Sequence, residues 1–350
     1  MTRLFSSAFR EPTLIYQRHR NTIENILTAA ALTYLVGLFF NATKIYPDQW
    51  RTVLLVSIFV VGAQWRDWGY YLAFAALLWP LWNLSPYLMT LFVAVALLPR
   101  YWIIQALPWI LLVMSAPILA EWQILGLVPL LAGLVAGPKT GWWTGLFCAL
   151  WLKLVAGMSG LMPELGALHG MIFSISAIEL NFVNASSLET LERLAEPFTQ
   201  SSFLLLLHLL QSGAWGLAGW VVGTIEQKEW RKSRPRFLII LTLTAGFLIL
   251  WSALYLLPAW LELQSMTAFL RNQLPTIGLA LSALSAGLLA ALHESLQRPV
   301  PPRPIPYTEP PVTTPNKQAT VDASSPSPSS RPWSPPPRPE QDDVIMLELD

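Results

Sequence analysis

The sequence predicts an all-α, polytopic integral membrane bundle of about ten transmembrane helices, with eight as the alternative count, followed by a disordered C-terminal tail. Three observations carry that prediction. Of the 350 residues, 54% are hydrophobic and only 12% are charged, about half the charge fraction of ordinary soluble domains. Apolar runs near the length that crosses ~30 Å of hydrocarbon recur between residues 23 and 295. The runs are also continuous, as from Phe203 to Leu210, whereas a membrane barrel alternates polar and apolar residues. Lipid offers the backbone no hydrogen-bond partner, so such runs must be helices.

Residues 1–22 form a basic N-terminus, with Arg3, Arg10, Arg18 and Arg20 ahead of the first apolar run. That run lacks a small-x-small cleavage signal and reads as an uncleaved signal anchor. Helices are expected at 23–42, 52–65, 68–84, 86–98, 101–118, 122–137, 141–158, 201–224, 237–258 and 274–295. If the shorter ones are half-spanning pieces sheltered by neighbours, eight full spans and a broken hairpin remain.

Lysine and arginine translocate poorly and mark cytoplasmic loops. With the N-terminus inside, Arg3, Arg10, Arg18, Arg20, Arg66, Arg100, Lys139, Lys228, Arg231, Lys232, Arg234, Arg236, Arg298 and Arg303 are inside, fourteen against four outside, namely Lys44, Arg51, Arg193 and Arg271. Both termini are therefore expected in the cytoplasm, and the site of the protein is an inner or plasma membrane. Trp50, Trp65, Trp82, Trp102, Trp122, Trp142, Trp143, Trp230 and Trp260 fall near predicted helix ends, where indoles settle among headgroups.

The transmembrane domain, 23–295, is interrupted by one sizeable loop at 159–200, which the topology places outside the cytoplasm. Leu188, Leu191, Leu194 and Ala195 recur there at helical spacing, predicting an amphipathic helix that caps the bundle or lies on the membrane surface. Residues 296–341 turn to proline, serine, threonine and arginine, a composition that cannot bury apolar surface. Apolar residues return at the very end, in Asp342, Asp343, Val344, Ile345, Met346, Leu347, Glu348, Leu349 and Asp350. The alternating Ile345, Leu347 and Leu349 suit a peptide that adds a strand to a partner's sheet, and the proline-rich chain gives it reach.

Two stripes of small residues are expected to pack helices closely, since lipid supplies no hydrophobic drive between them. The first is Gly133, Gly137, Gly141 and Gly145, broken into a hairpin at Pro138. The second is Ser212, Gly216, Gly219 and Gly223, with His208 and Gln211 just before it. The stretch from Val128 to Pro138 with Gly141 and Gly145 resembles the glycine-rich helical hairpin of S components of energy-coupling-factor transporters. That family captures vitamins or metal ions, so the resemblance implies a transport role. It covers about a tenth of the chain, and where the family often has an acidic residue after the second glycine helix this sequence has Ala149, Leu150 and Trp151.

The intramembrane polar residues are His208, Gln211, Lys153 and Glu121. His208 and Gln211 either bond across the seam or line a solute or proton path. Lys153 and Glu121 both sit near outer helix ends and could pair, although a lysine so placed is expected to snorkel outward. Gly157-Met158-Ser159-Gly160 is similar to the GxSG of rhomboid intramembrane proteases. Here it ends a helix ahead of Pro163 and reads as a loop cap. Cys148 is the only cysteine, which excludes an intramolecular disulfide. Zinc-type spacing, paired catalytic carboxylates and phosphate-cradling loops are absent from the sequence, so neither an enzyme nor a cofactor is expected. The net charge of +1 argues against nucleic acid as a partner. Two functions remain: a membrane scaffold or signalling protein recruiting a cytoplasmic partner through its tail, which leads, and a transport component binding a small solute.

Overall fold

The computed structural model describes residues 10–97, 106–160, 175–182, 185–227, 235–261 and 275–297, and every regular element among them is a helix. In chain order they are α1 (Arg10–Arg18), α2 (Arg20–Thr43), α3 (Asp48–Gln64), α4 (Arg66–Leu84), α5 (Pro86–Leu97), α6 (Leu107–Met114) and α7 (Ala116–Glu121). After these come α8 (Leu127–Ala136), α9 (Pro138–Met158), α10 (Ile175–Phe182), α11 (Ser187–Thr199), α12 (Ser202–Glu226), α13 (Pro235–Trp260) and α14 (Pro275–Gln297). The tail, including residues 342–350, lies outside the described residues.

Five helices among the described residues are long and apolar enough to cross a membrane: α2, α9, α12, Ile239–Trp260 of α13 and Thr276–Gln297 of α14. The other described helices are shorter or less apolar, so among the described residues length and composition confirm five spans and not the expected count of about ten. The long helices turn large apolar side chains outward, among them Ile240, Leu248 and Leu256 of α13 and Leu284, Leu288 and Leu292 of α14. Water would penalise those faces, and hydrocarbon does not. Trp50, Trp65, Trp82, Trp122, Trp143 and Trp260 are also outward-facing.

Two expected helices differ in detail. The helix expected at 101–118 arrives, in its described part, as α6 and α7. Pro117 removes a donor, and the break falls at Ser115, whose hydroxyl donates to the Leu112 carbonyl. The helix expected from 122 begins only at Leu127, because Gln123 takes a left-handed turn with φ 58° and Gly278 of α14 lies against its carbonyl. Within the 159–200 loop the amphipathic helix is α11, and α10 is an addition to the expected elements.

The helices form two packed regions. The N-terminal one joins α2, α3 and α4 around Leu32, Val36, Phe40, Ile58, Ala73 and Ala76, with Leu107 and Leu111 of α6 closing it. Gly62 and Gly69 bring α3 and α4 into backbone contact. The C-terminal one joins α8, α9, α12, α13 and α14 around Val128, Leu130, Cys148, Leu152, Leu207, Trp215 and Leu250. A smaller cluster, Leu84, Leu88, Val155, Ile178 and Phe182, ties α4, α5, α9 and α10 together.

Candidate functional site

The site begins with the glycine stripes. α9 and α12 run antiparallel, with Gly141 against Gly219, Gly145 against the Trp215 carbonyl and Gly223 against Gly137 and Pro138. A β-carbon at Gly141, Gly145, Gly219 or Gly223 would meet backbone atoms, which cannot rotate away as a side chain can. Gly133 of α8 also abuts the Gly219 carbonyl, so three helices converge at one level. Gly216 is covered by the Trp142 ring, and Ser212 is buried with a hydroxyl oxygen that finds no partner among the described residues.

Each step toward the C-terminus on α9 is matched by a step back on α12. The register set by Gly141–Gly219 and Gly145–Trp215 therefore carries Lys153 to the level of Leu207 and His208. There the Lys153 Nζ lies 2.6 Å from Gln211 Oε1, to which it donates, and 3.1 Å from His208 Nδ1. Gln211 in turn points its Nε2 at the Ala253 carbonyl of α13, at 3.5 Å. Three helices are thus joined through side chains in a setting where Lys153 is 1% exposed, His208 2% and Gln211 4%. His208 and Gln211 share one face of α12 because they are three residues apart.

α11 packs over this cluster, against α9 and α12. Its capping box, in which the Ser186 hydroxyl accepts from Glu189 N and the Glu189 carboxylate accepts from Ser186 N, fixes where the helix starts. From that start Thr190, Leu194 and Phe198 turn toward the bundle at four-residue spacing. Thr190 is buried and Leu194 packs on the cluster around Val155. Phe198 sets its ring edge-on to His208, with centroids 5.2 Å apart and planes at 70°. Leu188 and Leu191 face away, 74% and 59% exposed. The Glu189 carboxyl is held below its ordinary value by the hydrogen bonds from Ser186.

The chemistry open to this arrangement is proton exchange and polar coordination. An ammonium at Lys153 donates to Gln211 and to His208 Nδ1, which puts the ring proton on Nε2. Moving one proton from Nζ to Nδ1 reverses the roles of lysine and histidine without displacing a heavy atom.

Of the residues singled out in the sequence, Lys153, His208 and Gln211 come together, and Glu121 does not join them. It is exposed at the end of α7 and makes no ion pair with Lys153. Lys153 does not snorkel, because acceptors on α12 lie within reach of its amine. Ser159 donates its hydroxyl to the Val155 carbonyl and ends α9. Phe198 escaped the sequence reading, since its partner is fixed only by the docking of α11. Among the described residues no three His, Cys, Asp or Glu side chains are grouped as metal ligands would be. No family model, curated protein or solved structure matches the chain.

Proposed function

We propose that this chain is a multi-pass membrane transport component whose C-terminal bundle carries a site for a small polar solute, with Lys153, His208 and Gln211 as the side chains that meet it. The inward turn of Lys153 carries the reading. An amine five residues from the end of its helix could reach the headgroups, yet it is held by a histidine and an amide of another helix. Ionisable groups buried among membrane helices cost about 2.5–3.5 kcal/mol on insertion scales and are characteristic of solute and proton paths. The glycine hairpin around Pro138, similar to that of energy-coupling-factor S components, supports the same role. In this reading about ten segments lie in an inner or plasma membrane, the shorter ones tilted or half-spanning, with both termini cytoplasmic as the fourteen-to-four charge distribution indicates.

The test is thermal unfolding of the detergent-purified full chain against a panel of inorganic ions, amino acids, carboxylates and vitamins. Binding stabilises by RT ln(1 + [L]/Kd). The expected result is a solute that raises the Tm of the wild type and loses that effect in both Lys153→Met and Gln211→Leu. A panel without any shift, or shifts that survive both substitutions, overturns the proposal.

The terminal motif at 342–350 supports a second reading, a scaffold that recruits a cytoplasmic protein. A pull-down comparing the full chain with one ending at Glu340 separates the two. A cytoplasmic protein retained only by the full chain supports recruitment, and identical captures dismiss it.

A further inference from the structure

At the opposite end of the α9–α12 pair from Lys153, the two helices leave an open groove of about 530 Å³ lined by Pro138, Lys139, Trp142, Trp143, Leu217 and Trp220. We propose that this groove is a binding site for an anionic glycerophospholipid, with Lys139 meeting the phosphate and the indoles and Leu217 holding the glycerol and first methylenes.

The order of groups along the groove is that of a lipid. Gly223 against Gly137 and Pro138 sets the start of α9 level with the last turn of α12. α9, with 21 residues, spans about 31 Å and so puts Pro138 and Lys139 at the hydrocarbon edge. Trp143 lies about a turn further in, and the Gly141–Gly219 register sets Leu217 level with it, while Trp220 stands beside Thr140 near the edge, where an indole settles among headgroups. Charge therefore sits at the edge and apolar surface inside. Lys139 is exposed and makes no ion pair or hydrogen bond among the described residues, so its charge is available to a ligand. Trp143 and Trp220 remain 48% and 45% exposed, and Trp143 is stiffened by stacking on Phe147. The floor is firm, since Trp142 rests on Gly216 in the glycine seam.

Charge complementarity selects the headgroup. Lys139 belongs to the side of the molecule with fourteen basic residues, the side on which anionic lipids concentrate and attract basic residues. A zwitterionic lipid would bring its own cation up to Lys139, and free phosphate would leave the indoles and Leu217 unused.

The experiment is native mass spectrometry of the full chain released from micelles after incubation with equimolar phosphatidylglycerol and phosphatidylcholine of matched acyl chains. Phosphatidylglycerol adducts should dominate in the wild type. Their excess should fall about fivefold in Lys139→Gln, the loss of one surface cation. It should fall also in Trp220→Ala, and it should persist in Lys44→Gln, which alters a lysine on the α2–α3 turn. Millimolar inorganic phosphate should not displace the adduct. Equal retention of the two lipids, an unchanged excess in Lys139→Gln, or displacement by free phosphate would overturn the proposal.

Discussion

The two packed regions solve the same problem with different materials. The α2–α4 layer meets through apolar side chains and one glycine pair, Gly62 and Gly69. One polar link there is peripheral, Tyr46 donating to the Ala76 carbonyl at 2.9 Å. In the C-terminal bundle α9 and α12 meet through backbone, and half of the apolar stretch of each is buried, against 28% for α13, 22% for α14 and 22% for α2. Lys153, His208, Gln211, Ser212 and Thr144 are all buried on these two helices. Backbone contact fixes the register of two helices far more tightly than interdigitated leucines do. A fixed register is what a buried amine needs, because its acceptors must lie within hydrogen-bonding distance or it leaves for water. Close packing in one region thus makes a polar site affordable there, and the other region stays apolar.

The largest effect should come from opening the seam. Gly145→Leu drives a side chain into the Trp215 carbonyl, and overpacking against backbone costs about 3 kcal/mol, the upper part of its usual range. The variant should lose a cooperative melt and elute as an aggregate in size-exclusion chromatography. Gly213→Leu on the facing helix α12, where a β-carbon meets nothing within 4 Å, should stay within about 1 kcal/mol of wild type or gain slightly from helix propensity. Equal behaviour of the two variants would mean that backbone contact does not hold the α9–α12 seam.

Next comes the amine. Lys153→Met keeps the volume but takes the donor from Gln211 Oε1, and an acceptor left buried costs about 1–3 kcal/mol. Adding Gln211→Leu and His208→Phe should recover most of that cost, since apolar groups replacing all partners of a buried cluster are often neutral. The triple variant would resemble the α2–α4 layer, stable and without a site. A melt of Lys153→Met that matches the wild type would mean that the cluster holds nothing together.

Most helix positions were legible in the sequence, because apolar length and flanking charge speak directly of the bilayer. The glycine stripes were legible as packing surfaces for the same reason, since spacing alone puts Gly141 and Gly145 on one face. Their partners were not, because a stripe states which face is smooth without stating what meets it. Lys153 is the instructive case. Sequence position suggested Glu121 or the headgroups, whereas the α9–α12 register brought His208 and Gln211 to it. Non-local register also decided Phe198, which sequence shows only as one aromatic residue in a polar loop. Gln123 is a third case, a left-handed turn at a residue that carries no glycine signal.

The third effect is smaller and tests how the polar region is sealed. Phe198→Ala removes the ring lying edge-on to His208, and such aromatic pairs are worth about 0.5–1.5 kcal/mol. Stability should fall by that order, while acylation of His208 by diethyl pyrocarbonate, read by mass spectrometry against exposed His19, should rise several-fold. A lowered Tm without faster modification would make Phe198 a packing residue and leave His208 shielded by the bundle itself.

The smallest effect concerns the start of α11 and can be set against the start of α12. Both helices open on a serine cap, Ser186 accepting from Glu189 N at 3.3 Å and Ser201 from Leu204 N at 3.1 Å. The α11 cap has in addition the Glu189 carboxylate accepting from Ser186 N at 2.7 Å. That bond holds the Glu189 carboxyl below its ordinary value. A depressed carboxylate contributes stability that is fully present above the ordinary carboxylate range, about pH 4.3, and is lost as pH falls through the lowered value. Hydrogen exchange at the Thr190 amide should therefore accelerate on acidification, and exchange at Leu205 should keep its protection. Glu189→Ala should reproduce the acid effect at neutral pH, and Ser186→Ala, which removes the companion bond to Glu189 N, should fray the same end at a local cost of about 1 kcal/mol. Since Phe198 rides on the same helix, fraying at Ser186 that leaves His208 modification unchanged would show that Thr190 and Leu194 alone keep α11 on the bundle.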